Sequence, residues 1–93
     1  MKTFLIFTED KNREGIKTIL AENFDGFTLL FGKGYWASHF PLCSDTIYDE
    51  NSLVIVILTM DRKRVIAVAE GIKALNNQES VMVASFDTEM EMV

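Results

Sequence analysis

The chain is poor in the residues that do the commonest site chemistry: one cysteine, one histidine, one proline and nine basic side chains in 93 residues. A lone Cys43 cannot form an internal disulfide, which fits a reducing compartment. His39, Cys43, Asp45 and Asp49 together fall short of a preorganised set of three or four metal ligands, so no metal site is expected. Cys43 also lacks a second histidine to serve as its base, and no nucleophile signature or cofactor-binding motif is present; no cofactor is expected. With 14 acids and a net charge of −5, the chain has no concentrated basic face for general nucleic-acid binding. The longest clear apolar run, residues 53–58, is far below the ~20 residues that span a bilayer. Met1-Lys2 leads directly into residues 3–7, too short for a signal core and without a small-residue cleavage site, so a cytoplasmic location is expected.

What the chain does contain is periodicity. Residues 3–7 form an apolar, β-branched run that reads as a central strand. Asp10 is placed to cap a helix over 11–23, whose Ile16, Ile19, Leu20 and Phe24 recur at helical spacing. Gly26, with its freedom to take a positive φ, ends that segment. Phe27 to Phe31 reads as a second strand that either continues through Gly32 and Gly34 toward Trp36 or stops there in a turn. From 37 to 51 the periodicity is lost, and Pro41 with Asp49-Glu50-Asn51 marks turns, which predicts a long connection between strands two and three.

Residues 52–59 give the clearest strand, followed by Asp61 as a helix cap. The second helix sets Val65, Ile66, Val68, Ala69, Ile72 and Leu75 on one stripe and stops at Asn76-Asn77-Gln78. A last strand covers 80–86, and the alternating Glu89-Met90-Glu91-Met92 tail either extends it or frays. The order βαββαβ predicts one α+β domain, a ferredoxin-like sandwich with antiparallel sheet order 4-1-3-2 and both helices on one face. Strands one and three are apolar at both alternating sets of positions, so the second face is also expected to be buried. In so small a chain the natural cover is another copy of itself, and a homo-oligomer, specifically a trimer, is expected.

Three segments, Phe24-Asp25-Gly26-Phe27-Thr28, Gly34-Tyr35-Trp36 and Glu50-Asn51-Ser52, resemble the small phage-encoded PII-like proteins, a group that includes S-adenosylmethionine lyases. The resemblance implies a trimer whose connection between strands two and three lines clefts between subunits. It further implies that Tyr35 and Glu50 match the aromatic and the carboxylate of an interfacial catalytic site, whereas Val56 stands where a second acid is expected. The short turn from Asn76 to Ser80 departs from the longer phosphate-binding loop of PII signal proteins.

Independently of that resemblance, the predicted topology brings Thr8 and Lys11, at the start of helix one, beside Gly32, Lys33 and Gly34 at the end of strand two. Helix N–H donors, a lysine and permissive glycines suit an anion or nucleotide contact. Tyr35 and Trp36 can add a stacking surface, or can simply pack a core or subunit contact. The basic cluster Arg62-Lys63-Arg64 falls at the opposite end of the sheet. These residues lead to an expectation of an oligomeric protein that binds a nucleotide-like or adenosyl metabolite between subunits, as a phage sequestering protein would. The competing expectations are S-adenosylmethionine lyase activity at the same site and a protein-interaction module.

Overall fold

Long apolar strands that alternate in register build the molecule's central sheet. A computed structural model of the chain describes residues 1–38 and 46–93, with side chains described at all of these except 36–38 and 46–48. In chain order they form β1 (Lys2–Glu9), α1 (Arg13–Asn23), β2 (Thr28–Ser38), β3 (Thr46–Thr59), α2 (Arg62–Asn76) and β4 (Met82–Asp87). The sheet order is β2-β3-β1-β4, every neighbouring pair antiparallel. This is the predicted 4-1-3-2 arrangement.

One face of the sheet buries Phe4 and Ile6 of β1 and Leu53, Ile55 and Ile57 of β3 against Ile16 and Leu20 of α1 and Val65, Val68, Ala69 and Ile72 of α2. Helix spacing and strand alternation thus converge on a single core. Asp61 caps α2 as expected, its side chain accepting from the Arg64 N–H at 3.1 Å, and Asn77 ends the helix in the left-handed region at φ 53°.

On the opposite face Leu5 lies across from Val56 and Ala84, while Phe7 lies across from Val54 and Met82, and Leu30 pairs with Val54. Leu30, Met82 and Phe86 are 53%, 60% and 52% exposed there. Register thus gathers exposed apolar residues on this one face, where single ones would be ordinary.

Three local expectations change, and the open one at the C-terminal tail narrows. Asp10 does not cap α1; its carboxylate is held by Arg13 at 2.7 Å, and Asn12, in the left-handed region, occupies the cap position without a side-chain cap bond. Gly26 has no positive φ, and α1 ends instead on an extended Phe24 whose N–H donates to the Leu20 carbonyl. The expected connection over 37–51 is mostly strand: β2 runs to Ser38 and β3 begins at Thr46, pairing Lys33 with Asn51, Gly34 with Glu50 and Ala37 with Ile47. Backbone pairing holds this ribbon, so polar residues are tolerated and the apolar alternation that announces a strand is missing. The remainder of that expectation, with His39, Pro41, Cys43 and Asp45, lies outside the described residues. Finally, β4 stops at Asp87, and Met90 and Met92 line a depression with Phe27, Val56 and Leu58 rather than extending the strand.

Candidate functional site

The end of β1 and the middle of the β2–β3 ribbon lie at one level of the sheet, since Glu9 pairs with Ser52 and Ser52 with Gly32. The Asp10 N–H donates to the Asn51 carbonyl at 2.7 Å and ties the α1 entry to β3. Lys11, Gly32, Lys33 and Gly34 are therefore gathered at one end of the molecule, as the topology predicts, and Glu50 joins them there by its pairing with Gly34.

Glu9, Glu50, Asn77, Gln78, Glu79 and Ser80 line a cavity of about 340 Å³ at this end. The Lys11 ammonium pairs with Glu9 at 3.1 Å, the shortest route to neutralising one of the three acids. Gly34 admits close packing beside the cavity: a Cβ placed there would meet the Ser52 hydroxyl at 2.2 Å and the Glu50 side chain at 3.5 Å. Only glycine fits at that position without displacing Ser52, whereas a Cβ on Gly32 would enter open space.

A polar network supports the cavity from below. Asn76, only 1% exposed, has its Nδ2 within 3.1 Å of Thr8 Oγ1, the Glu9 carbonyl and Gln78 Oε1. Its Oδ1 accepts from Asn12 Nδ2 at 3.1 Å, and the same Asn12 amide also donates to the Leu75 carbonyl at 3.1 Å. Thr8 donates to Gln78 Oε1. Thr8 is thus turned inward, at 3% exposure, so its hydroxyl braces the site and does not line it.

Lys33 and Tyr35 lie on the other side of the ribbon. Tyr35 sits opposite Asp49 and Gly34 opposite Glu50, and strand alternation places consecutive residues on opposite faces. The Tyr35 ring is 69% exposed, and Lys33 pairs loosely with Asp49 at 3.8 Å. One chain therefore does not bring Tyr35 and Glu50 together. Trp36 lies opposite Tyr48 in register, and its side chain is outside the described residues. On the Lys33 side, Arg13 stacks over the Phe31 ring at 4.2 Å while it holds Asp10.

Sequence reasoning gives Asn76 and Gln78 only as a helix stop and assigns Glu9 and Glu79 no role in a site. Asn76 carried a signal, because it continues the buried spacing 65, 68, 69, 72 of α2 by one more turn, where an apolar residue would otherwise stand. An amide on the apolar stripe implies a satisfied polar network beneath it.

The Glu50 carboxyl is pushed above its ordinary value, first by burial and then by the nearby Glu9, with Lys11 pulling it back. A carboxyl raised in the folded state binds its proton more tightly there than in the unfolded chain. Its favourable contribution is therefore present below the ordinary pKa and is lost as pH rises through the folded value. Glu50→Gln is expected to stabilise the protein at pH 7 by no more than about 0.5 kcal/mol, since Glu50 is partly solvated, with the gain vanishing toward pH 4. Urea unfolding at the two pH values measures this, and equal gains at both would show that the carboxylate charge is not the cause. Among the described residues no group of three or more His, Cys, Asp or Glu is arranged to hold a metal ion, and no helix is long and apolar enough to cross a membrane.

No protein-family model and no curated protein matches the sequence. Solved structures do. A phage SAM lyase in complex with S-methyl-5'-thioadenosine superposes with a TM-score of 0.71 at 18% identity, covering 92% of this chain and 80% of that one. The periplasmic divalent cation tolerance protein CutA from Archaeoglobus fulgidus gives a TM-score of 0.70 at 14% identity, covering 99% and 88%. CPII, a nitrogen regulatory PII-like protein from Thiomonas intermedia K12 bound to ADP, AMP and bicarbonate, gives 0.60 at 21% identity, covering 99% and 93%. At such identities the likeness speaks to architecture, and with the sheet order and helix placement described above it establishes the PII/CutA-like ferredoxin fold for this chain.

Proposed function

We propose that the protein is an oligomeric small-molecule-binding protein, a trimer, that holds an adenosyl metabolite bearing a cationic centre in clefts where the β2–β3 ribbon meets a neighbouring subunit. The observation that carries this reading is the charge of the cavity beneath the ribbon: Glu9, Glu50 and Glu79 surround it, and Lys11 is paired with Glu9. Carboxylates at close range favour a sulfonium or ammonium and repel nucleotide phosphates, so an adenosyl cation fits better than a nucleotide. The similar phage SAM lyase was solved with an adenosyl compound, which agrees with that choice. Tyr35 lies on the other face of the ribbon from Glu50, so it is the exposed Tyr35 ring of a neighbouring subunit that offers a stacking platform for the adenine.

Binding without turnover fits the remaining residues better than lyase chemistry. Val56 stands where the lyase resemblance leads one to expect a second acid, and it lies within the apolar face across from Leu5. A protein that holds its metabolite unchanged removes it from solution, which is how a phage sequestering protein would blunt a defence signal.

Incubation with S-adenosylmethionine followed by chromatography is expected to show retention of the intact compound. Release of homoserine lactone and methylthioadenosine would establish the lyase reading instead, and no retention of any adenosyl compound, in solution or in mass spectra of denatured protein, would end both. Tyr35→Ala is expected to weaken retention by about 1–3 kcal/mol if its ring stacks on the base. Its melting temperature should barely change, because the ring is already solvated.

A further inference from the structure

The orientation of one side-chain amide at the cavity is fixed by the backbone. Asparagine and glutamine amides usually have two interchangeable settings, chosen by their neighbours. Here the Glu9 carbonyl requires a nitrogen from Asn76, which donates to it at 3.1 Å, and the Glu9 N–H requires an oxygen from Gln78, to which it donates at 3.4 Å. Neither backbone group can reverse its role. Gln78 Oε1 also receives hydrogen bonds from Thr8 Oγ1 and Asn76 Nδ2, so three donors hold it inward. Among the described residues the Gln78 Nε2 has no hydrogen-bond partner and is not buried, and Gln78 borders both this cavity and a neighbouring depression lined by Glu70, Lys73, Ala74 and Asn77.

We propose that Gln78 is a specificity-determining residue of this cavity, presenting Nε2 as a fixed donor to a hydrogen-bond acceptor that the ligand carries near its cationic group, with Thr8 as the positioning residue that holds the amide. The inference rests on the binding reading above and adds to it the ligand's second requirement. The three acids select a positive centre, and the amide selects an adjacent acceptor such as a carboxylate, hydroxyl or ring nitrogen. A simple cation satisfies the first and not the second. A zwitterionic compound such as S-adenosylmethionine satisfies both.

Gln78→Glu separates these demands, because a glutamate keeps an oxygen for the three inward donors, loses the outward donor and adds a negative charge. Charge alone would tighten cation binding. Equilibrium dialysis with S-adenosylmethionine is expected to show about tenfold weaker binding in Gln78→Glu, the loss of one net hydrogen bond outweighing the added charge. Thr8→Val should weaken binding in the wild-type background and have no further effect in Gln78→Glu, since its influence passes through that amide. Thr8→Ser, which keeps the hydroxyl, should restore wild-type affinity. Wild-type binding with equal or tighter binding by Gln78→Glu would overturn the specificity role and leave the binding reading standing. Equal losses from Thr8→Val in both backgrounds would overturn the positioning role, and a wild-type protein that retains no S-adenosylmethionine would remove both readings together.

Discussion

Leu30→Asp is expected to leave a folded subunit that no longer assembles. Leu30 is half-exposed in the isolated chain and paired with Val54 across the open apolar face, so a carboxylate there stays solvated and should change subunit stability by no more than about 1 kcal/mol, the range of strand propensity. In an assembly that buries this face the same carboxylate has no partner, and an uncompensated buried charge costs about 3–5 kcal/mol, which is more than a hundredfold in association. Light scattering at micromolar concentration is expected to give a trimer for the wild type and a monomer for the variant, with unchanged far-ultraviolet circular dichroism. A trimer in both would mean that subunits meet elsewhere. A wild-type monomer would remove the cleft between subunits from the proposed function.

Asn76→Leu is expected to have the largest effect on folding. Leucine fills the same space on the α2 stripe, yet it removes the two N–H donors shared among the Thr8 hydroxyl, the Glu9 carbonyl and Gln78 Oε1, and the acceptor of the Asn12 amide. A buried polar group that loses its partner costs about 1–3 kcal/mol, and even with partial rescue by water the sum should reach roughly 3 kcal/mol. For a domain of this size that corresponds to a fall in melting temperature of roughly 12–24 °C. A loss below about 1 kcal/mol would show that solvent reaches the network freely, contrary to the 1% exposure of Asn76.

The two predictions touch parts of the molecule that were unequally visible in the sequence. The fold was legible because apolar residues on both faces of β1 and β3 write themselves as long runs, 3–7 and 53–58, and because Asp61 and the Asn76-Asn77 stop bracket α2 closely. The ribbon was less legible. Residues 46–51 pair with β2 through the backbone while carrying polar side chains such as Asp49 and Glu50, so the strand leaves no apolar alternation to read. The start of α1 misled for a different reason: Asp10 has cap chemistry, but Arg13 three residues on engages its carboxylate, and the chain turns into the helix through a left-handed Asn12. At the site, the convergence of Lys11 with Gly32 and Gly34 followed from element order alone, whereas Glu50 was reached only through the family resemblance. The inward turn of Thr8 and the separation of Tyr35 from Glu50 depend on register, which a one-residue shift reverses and which no single segment of sequence specifies.

The pairing of β1 with β4 also bears on how the protein is made. Lys2 is hydrogen-bonded to Asp87, 85 residues away. Translation at about 5–20 residues per second separates the synthesis of these partners by roughly 4–17 s, while hairpins such as β2–β3 form in about 1–10 μs. The nascent chain therefore passes several seconds with β1 made and one of its hydrogen-bonding edges unmatched. That edge carries Phe4, Ile6 and Phe7, a template on which another unfinished chain could pair. Yield in a cell should accordingly depend on holdase chaperones during elongation more than on the equilibrium stability of the finished subunit.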